Sequence, residues 1–223
     1  MWKVDQQKMV VEIWSDIICP WCYIGKRRFE AALERFEHNG RLEIVWKSYQ
    51  LDPGIVTKPG VSVNQRLAER KGWPLGYARQ VNDHVSKLAM ETGLVYNFDK
   101  AILANTFNAH RLAHLARQHK ISGMEEALFK AYFTDGKNID DHGELVKIGA
   151  GFGLAPDLIS ETLQGMAYAE EVRKDIYEAK INNVRGVPYF LFNRRYSISG
   201  AQASGVFFNV LTEAWDNWVI KTN

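Results

Sequence analysis

The 223-residue chain has two cysteines, Cys19 and Cys22, both within the run Cys19-Pro20-Trp21-Cys22. Thiol–disulfide exchange needs a thiolate to attack a sulfur, and a second thiol close enough to release the mixed disulfide by closing a small ring. Two intervening residues at the start of a helix place the sulfurs that way. A helix start also exposes unpaired backbone N–H groups and the positive end of the dipole, which favours an anion at Cys19. Pro20 suits the first helical position, where its missing N–H removes no bond. Cys22 falls one turn further in and is expected to be more buried. Cys19 is therefore read as the nucleophile and Cys22 as the resolving thiol.

Other readings of the pair are weaker. A zinc site needs about four ligands, no second cysteine pair exists, and the remaining ligands would have to come from the six histidines. His110 and His114 share a helix face at i and i+4, where they are expected to face solvent or pack locally. No metal is expected. Because both cysteines lie in one motif, neither can staple distant parts of the fold.

The elements around the motif are legible from periodicity. Val10 to Ser15, dense in Val10, Val11, Ile13 and Trp14, predicts a strand buried on both faces. From Pro20 to Glu37, Trp21, Ile24, Phe29, Ala32, Leu33 and Phe36 recur at helical spacing, and Asn39-Gly40 closes the helix. Leu42 to Leu51 predicts a second strand, completing a βαβ unit. Residues 61–179 carry almost no strand pattern and a succession of helical ones. The candidates are Val63 to Lys71, Pro74 to Thr92, Asn105 to His119, Gly123 to Phe133, Gly143 to Gly151, Pro156 to Gln164 and Ala167 to Asn182. Val187 to Phe192 and Tyr196 to Ser199 predict a hairpin, and Ala203 to Ile220 an amphipathic closing helix. The class is α/β, with a discontinuous domain over 9–60 and 180–223 interrupted by an all-helical insertion over 61–179.

Composition excludes several function classes. A formal charge of +2, with lysines and arginines scattered rather than striped, leaves no nucleic-acid surface. No apolar segment approaches the roughly 20 residues that cross a bilayer, so no membrane partner is expected. The opening stretch Met1 to Val10 is mostly polar and lacks the apolar core of an export signal, which makes the cytoplasm the expected compartment.

Four segments together resemble the DsbA-like branch of the thioredoxin superfamily, and within it the FrnE-like proteins. They are Ser15 to Gly25, Asn105 to Arg111, Gly186 to Phe190 and Ile198 to Gln202, spread over nearly the whole chain. The resemblance implies a thioredoxin-like fold with a large helical insertion. It also implies that Val187-Pro188 is a cis peptide facing the cysteines, with Pro188 in the catalytic set and Val187 offering main-chain hydrogen bonds to substrate. Trp21 and Pro20 join the substrate-contacting residues, although Trp21 reads equally as a packed aromatic. An acidic residue beneath the disulfide is common in such folds. Glu12 and Asp16 are the two candidates for this proton relay, against the plainer readings of a solvated strand position for Glu12 and a loop cap for Asp16.

Three functions follow from these residues. The first is a dithiol–disulfide oxidoreductase acting on cysteine-containing proteins or small disulfides, with the Cys19–Cys22 disulfide as its redox centre, no other cofactor, and glutathione as a candidate co-substrate. In a reducing cytoplasm such an enzyme would serve as reductase or isomerase rather than oxidase. The second is a glutathione-dependent isomerase or transferase, because 2-hydroxychromene-2-carboxylate isomerases and kappa-class glutathione transferases are similar in architecture. Those relatives usually carry serine where Cys19 stands, so the complete pair favours disulfide exchange. The third is a partner-binding protein, with the helical insertion as roof of the site, homodimer contact or both.

Overall fold

The computed structural model describes residues 7–222, with side chains through residue 219. The first six residues of the polar opening stretch lie outside that range.

Strand β1 (Met9–Ser15) is the centre of a four-stranded sheet of order β2-β1-β5-β6. It pairs in parallel with β2 (Leu42–Ser48), and on its other edge antiparallel with β5 (Tyr189–Phe192), which forms a hairpin with β6 (Tyr196–Ser199). A strand flanked on both edges and covered on both faces is rich in apolar residues, which accounts for Val10, Val11, Ile13 and Trp14 in β1, while the buried Glu12 is paired with Arg194. Met9, Val11 and Ile13 point to one face. There they meet Phe29 of α1 (Pro20–Leu33), Phe190 and Phe192 of β5, and Phe207 and Leu211 of α9 (Ser204–Thr222), all buried. Each such side chain contributes about 1.5–3 kcal/mol through burial. Trp14 points to the opposite face, where α8 (Ala169–Ile181) lies and its indole N–H donates to Asp175 O at 2.9 Å.

Between β2 and α8 run α2 (Val63–Lys71), α3 (Leu75–Met90), α4 (Phe107–Gln118), α5 (Met124–Phe133), α6 (His142–Gly151) and α7 (Pro156–Gln164). Their core is continuous with the face of α1 that carries Tyr23 and Ile24. Tyr23, Tyr96, Phe129 and Phe133 stack there, with the Tyr23 and Phe129 ring centres 4.9 Å apart. No described helix is long and apolar enough to cross a membrane.

The structure corrects several boundaries. α1 ends at Leu33 rather than Glu37, because the Arg35 and Phe36 amides bond three residues back and tighten the chain into a turn. Residues 49–51 leave the second strand: the Leu51 amide donates to Asp16 Oδ2 instead of a ladder partner. A short antiparallel pair, β3 (Lys58–Ser62) with β4 (Ile102–Leu103), lies where almost no strand was expected. Lys58-Pro59-Gly60 has no apolar alternation and β4 is two residues long, so neither carries a period. Of the two readings for His110 and His114, facing solvent or packing locally, the structure shows the second: both are buried.

Candidate active site

The motif begins where β1 runs out. Asp16, fully buried, ties the intervening loop down: Oδ2 accepts the Leu51 amide at 2.7 Å and Asp16 O accepts the Cys19 amide at 2.9 Å, while Oδ1 lies 3.5 Å from His110 Nε2 without a hydrogen bond. His110 Nε2 is also 2.9 Å from Tyr49 O, which can only accept, so that nitrogen carries the hydrogen. Cys19 then takes an extended conformation as the N-cap of α1, with Pro20 at the start of the helix. No side chain caps this end and no acidic residue lies in the first turn, so the first-turn N–H groups have no side-chain partner.

Cys19 and Cys22 are both free thiols. The expected contrast in burial is slight, with Cys19 3% and Cys22 1% exposed. Cys19 is covered because its Sγ–H donates to Val187 O at 3.5 Å. Burial pushes the Cys22 thiol up, reinforced by the Cys19 sulfur beside it, while the Ser15 hydroxyl and the Asp16 amide pull weakly the other way. Cys22 therefore holds its proton tightly.

The chain after α8 closes over the motif. The Val187–Pro188 peptide is cis. Pro188 rests directly on α1, where a Cβ at Gly25 would stand 2.9 Å from Pro188 Cγ. Pro188 O accepts the Gly200 amide at 2.8 Å, and Arg28 Nη1 donates to Ala201 O at 2.6 Å, so the segment after β6 is pinned to the same place. Tyr96, from the loop after α3, donates its hydroxyl to Pro20 O at 2.7 Å. Trp21 is 39% exposed, the large apolar side chain of the motif that faces outward.

Cys19, Cys22, Val187, Pro188, Pro20 and Trp21 are thus brought together. The two acids are not equivalent. Strand alternation turns Glu12 to the α8 face of the sheet, where both its oxygens accept from Arg194 at 2.9 Å, away from the α1 face that carries the thiols. Asp16 meets Cys22 through its amide, while its carboxylate is turned to Leu51 and His110. Among the described residues, no group of three or more histidines, cysteines and acids is placed to hold a metal ion.

Several site residues escaped sequence reasoning: Ser15, Gly25, Tyr96 and His110. Only Gly25 carried a signal. Glycine inside a helix costs about 1 kcal/mol relative to alanine, and an otherwise good helix that keeps one marks a close approach.

A family model described as DSBA-like thioredoxin domain matches residues 10–211. Among solved structures, a probable DsbA oxidoreductase from Streptomyces coelicolor superposes with a TM-score of 0.88 at 38% identity, covering 93% of this chain and 90% of that one. A 2-hydroxychromene-2-carboxylate isomerase superposes at 0.64 with 14% identity, covering 96% and 98% of the two chains. The cytosolic disulfide reductase DsbM from Pseudomonas aeruginosa, solved also with GSH, superposes at 0.60 with 15% identity and coverage of 96% and 98%. At those identities the last two speak for the fold.

Proposed function

Because the chain belongs to the DSBA-like thioredoxin domain family, we propose that it is a dithiol–disulfide oxidoreductase whose redox centre is the Cys19–Cys22 pair. One observation carries the reading: two free thiols share the uncapped start of a helix, the first of them against the Val187 carbonyl. Cys19 attacks a substrate disulfide as the thiolate, forming a mixed disulfide and releasing one substrate sulfur as a thiolate that takes up a proton. Cys22 then loses its proton and attacks the Cys19 sulfur. The Cys19–Cys22 bond forms, the second substrate sulfur leaves with its electron pair, and substrate has gained two electrons.

The contact at Val187 suits this sequence. As a thiolate, Cys19 has no hydrogen to donate, and the Val187 carbonyl is then free to accept an N–H from an extended substrate chain. Trp21 and Pro20 form the rim against which that chain rests, and Pro188 keeps α1 and the Val187 main chain in register. Substrates are cysteine-containing proteins or small disulfides, with glutathione as a candidate small thiol. In a reducing compartment such as the cytoplasm, the couple works as reductase or isomerase.

Trapping tests the reading. With insulin as substrate and dithiothreitol as reductant, the wild type is expected to turn over, Cys22→Ser to accumulate a mixed disulfide, and Cys19→Ser to do neither. Glutathione conjugation or isomerisation that survives in Cys19→Ser would instead favour a glutathione-dependent isomerase.

A further inference from the structure

Ser15, which borders Cys22, also lines a cavity of about 30 Å³ together with Lys47, Ser48, His110, His114 and Glu125, among others. A water needs roughly 10–15 Å³ and two to four polar partners, so the space admits at least one molecule. Ser15 Oγ is buried, borders both Cys22 and this cavity, and has no hydrogen-bond partner of good geometry. Glu125, on the first turn of α5, borders the cavity from the helical side and is half-buried, so one part of it reaches solvent. Among the described residues its carboxylate makes no ion pair within 4 Å.

We propose that Ser15, one water held in this cavity, and Glu125 form the path by which the Cys22 proton leaves for solvent when the mixed disulfide is resolved. The proposal rests on the dithiol reading above. Cys22 passes its proton to Ser15 Oγ, the Ser15 hydroxyl proton passes to the water, and the water gives one to the Glu125 carboxylate. The Cys22 thiolate forms the bond to Cys19 Sγ, and the substrate sulfur departs with the electron pair of the broken bond. Glu125 then returns its proton to bulk water.

Two further features agree. Burial pushes the Glu125 carboxyl up, against the opposing pull of Arg117, Lys26 and His110, which moves its proton affinity toward that of a thiol. The other polar groups facing the cavity are already engaged. Lys47 is paired with Asp175 and Glu178. His114 Nδ1 accepts from Arg117 Nη2 at 2.6 Å, since arginine can only donate, so its hydrogen is on Nε2, facing Asp175 Oδ2 at 3.0 Å. Glu125 is the acid among the residues that line the cavity.

The reaction of the reduced protein with 5,5′-dithiobis(2-nitrobenzoate) separates the steps. The first thionitrobenzoate released reports attack by Cys19, and the second reports resolution by Cys22. At pH 6.5–7, Glu125→Gln and Ser15→Ala are each expected to slow the second release roughly tenfold or more while leaving the first within about twofold. The deficit should shrink toward pH 9, where hydroxide takes the proton directly, and Ser15→Thr should recover most of the rate. Glu125 is half-buried, so Glu125→Gln serves even if Ser15→Ala fails to fold. A second release unchanged in Glu125→Gln, or both releases slowed equally at every pH, overturns the relay. A wild type with no second release, or a Cys22→Ser variant that keeps it, overturns the dithiol reading itself, and the two failures are told apart by that control.

Discussion

At Gly25 the absence of a side chain decides where the Pro188 ring sits. A Cβ there would lie 2.9 Å from Pro188 Cγ and 3.5 Å from Ala201 Cβ, against the ~3.5–4.0 Å of a relaxed carbon contact. The ring cannot swing away as a flexible chain would, so α1 and the Val187-Pro188 segment must part by several tenths of an ångström. Gly25→Ala also gains about 1 kcal/mol of helix propensity, which offsets the overlap in stability but not in geometry. The expected outcome is a melting temperature close to wild type with insulin reduction slowed about tenfold, because misplacement near 1 Å costs about a hundredfold. Full turnover in Gly25→Ala would show that the contact is dispensable. At this scale the sequence was informative wherever chemistry is encoded by spacing: Cys19 and Cys22 declare themselves, and Pro20 declares the helix start. It was silent on Ser15 and Tyr96, ordinary residues whose roles depend on what the fold sets beside them. Glu12 illustrates the reverse. Its type suggested a relay, but the two-residue period of β1 turns it toward Arg194.

Among the elements, α8 is tied to the sheet by Asp175 and, through Lys47, by Glu178. Asp175 Oδ2 accepts the Ser48 amide at 3.0 Å and faces His114 Nε2 at 3.0 Å, while Oδ1 accepts from Lys47 at 3.0 Å. The group thereby joins α8, β2 and α4. Burial alone would push the Asp175 carboxyl up, but the hydrogen bonds from His114, the Ser48 amide and Lys47 outweigh it and hold the group below the ordinary aspartate range. A lowered folded value means stabilisation that is complete above the unfolded value, about pH 4, and is lost as pH falls through the folded one. Asp175→Asn is expected to cost about 2–3 kcal/mol at pH 7 in urea unfolding. The gap to wild type should narrow below about pH 4, where the wild-type carboxylate is also being neutralised. A gap that stays constant down to pH 2 would assign the loss to packing. The 3.6-residue period made most helices legible, and α2 and α7 have the expected limits. What a helix packs on is not periodic, so the docking of α8 against Trp14 could not be read, nor could β3 and β4, too short and too irregular to carry a period.

For the whole molecule, the decisive feature is that the thiols lie at the seam between two cores. Cys19 and Cys22 belong to the same buried cluster as Phe129 and Phe133 of the helical part, while the opposite side of α1 packs into the sheet core through Phe29. The seam is fastened by Glu126 of α5, whose carboxylate accepts from Tyr23 and Arg27 and, at 2.6 Å, from Lys26, all on α1. Burial pushes the Glu126 carboxyl up, yet these donors together hold it below the ordinary range. No pattern in the sequence announces this clamp, since about a hundred residues separate its two sides. Tyr23 reports on it directly, because its ring stacks on Phe129 while its hydroxyl meets the carboxylate. Removing the hydroxyl in Tyr23→Phe and the charge in Glu126→Gln should each cost about 1–2 kcal/mol, discounted for the part-exposed carboxylate. The double variant should cost less than their sum by about 1 kcal/mol if the two groups act through one another. Strict additivity would mean that Tyr23, through its stacking on Phe129, and Glu126, through Lys26 and Arg27, hold α1 to the helices independently. Coupling together with slowed insulin reduction would mean that the helical part helps set the position of α1, and through it the distance from Cys19 to the Val187 carbonyl.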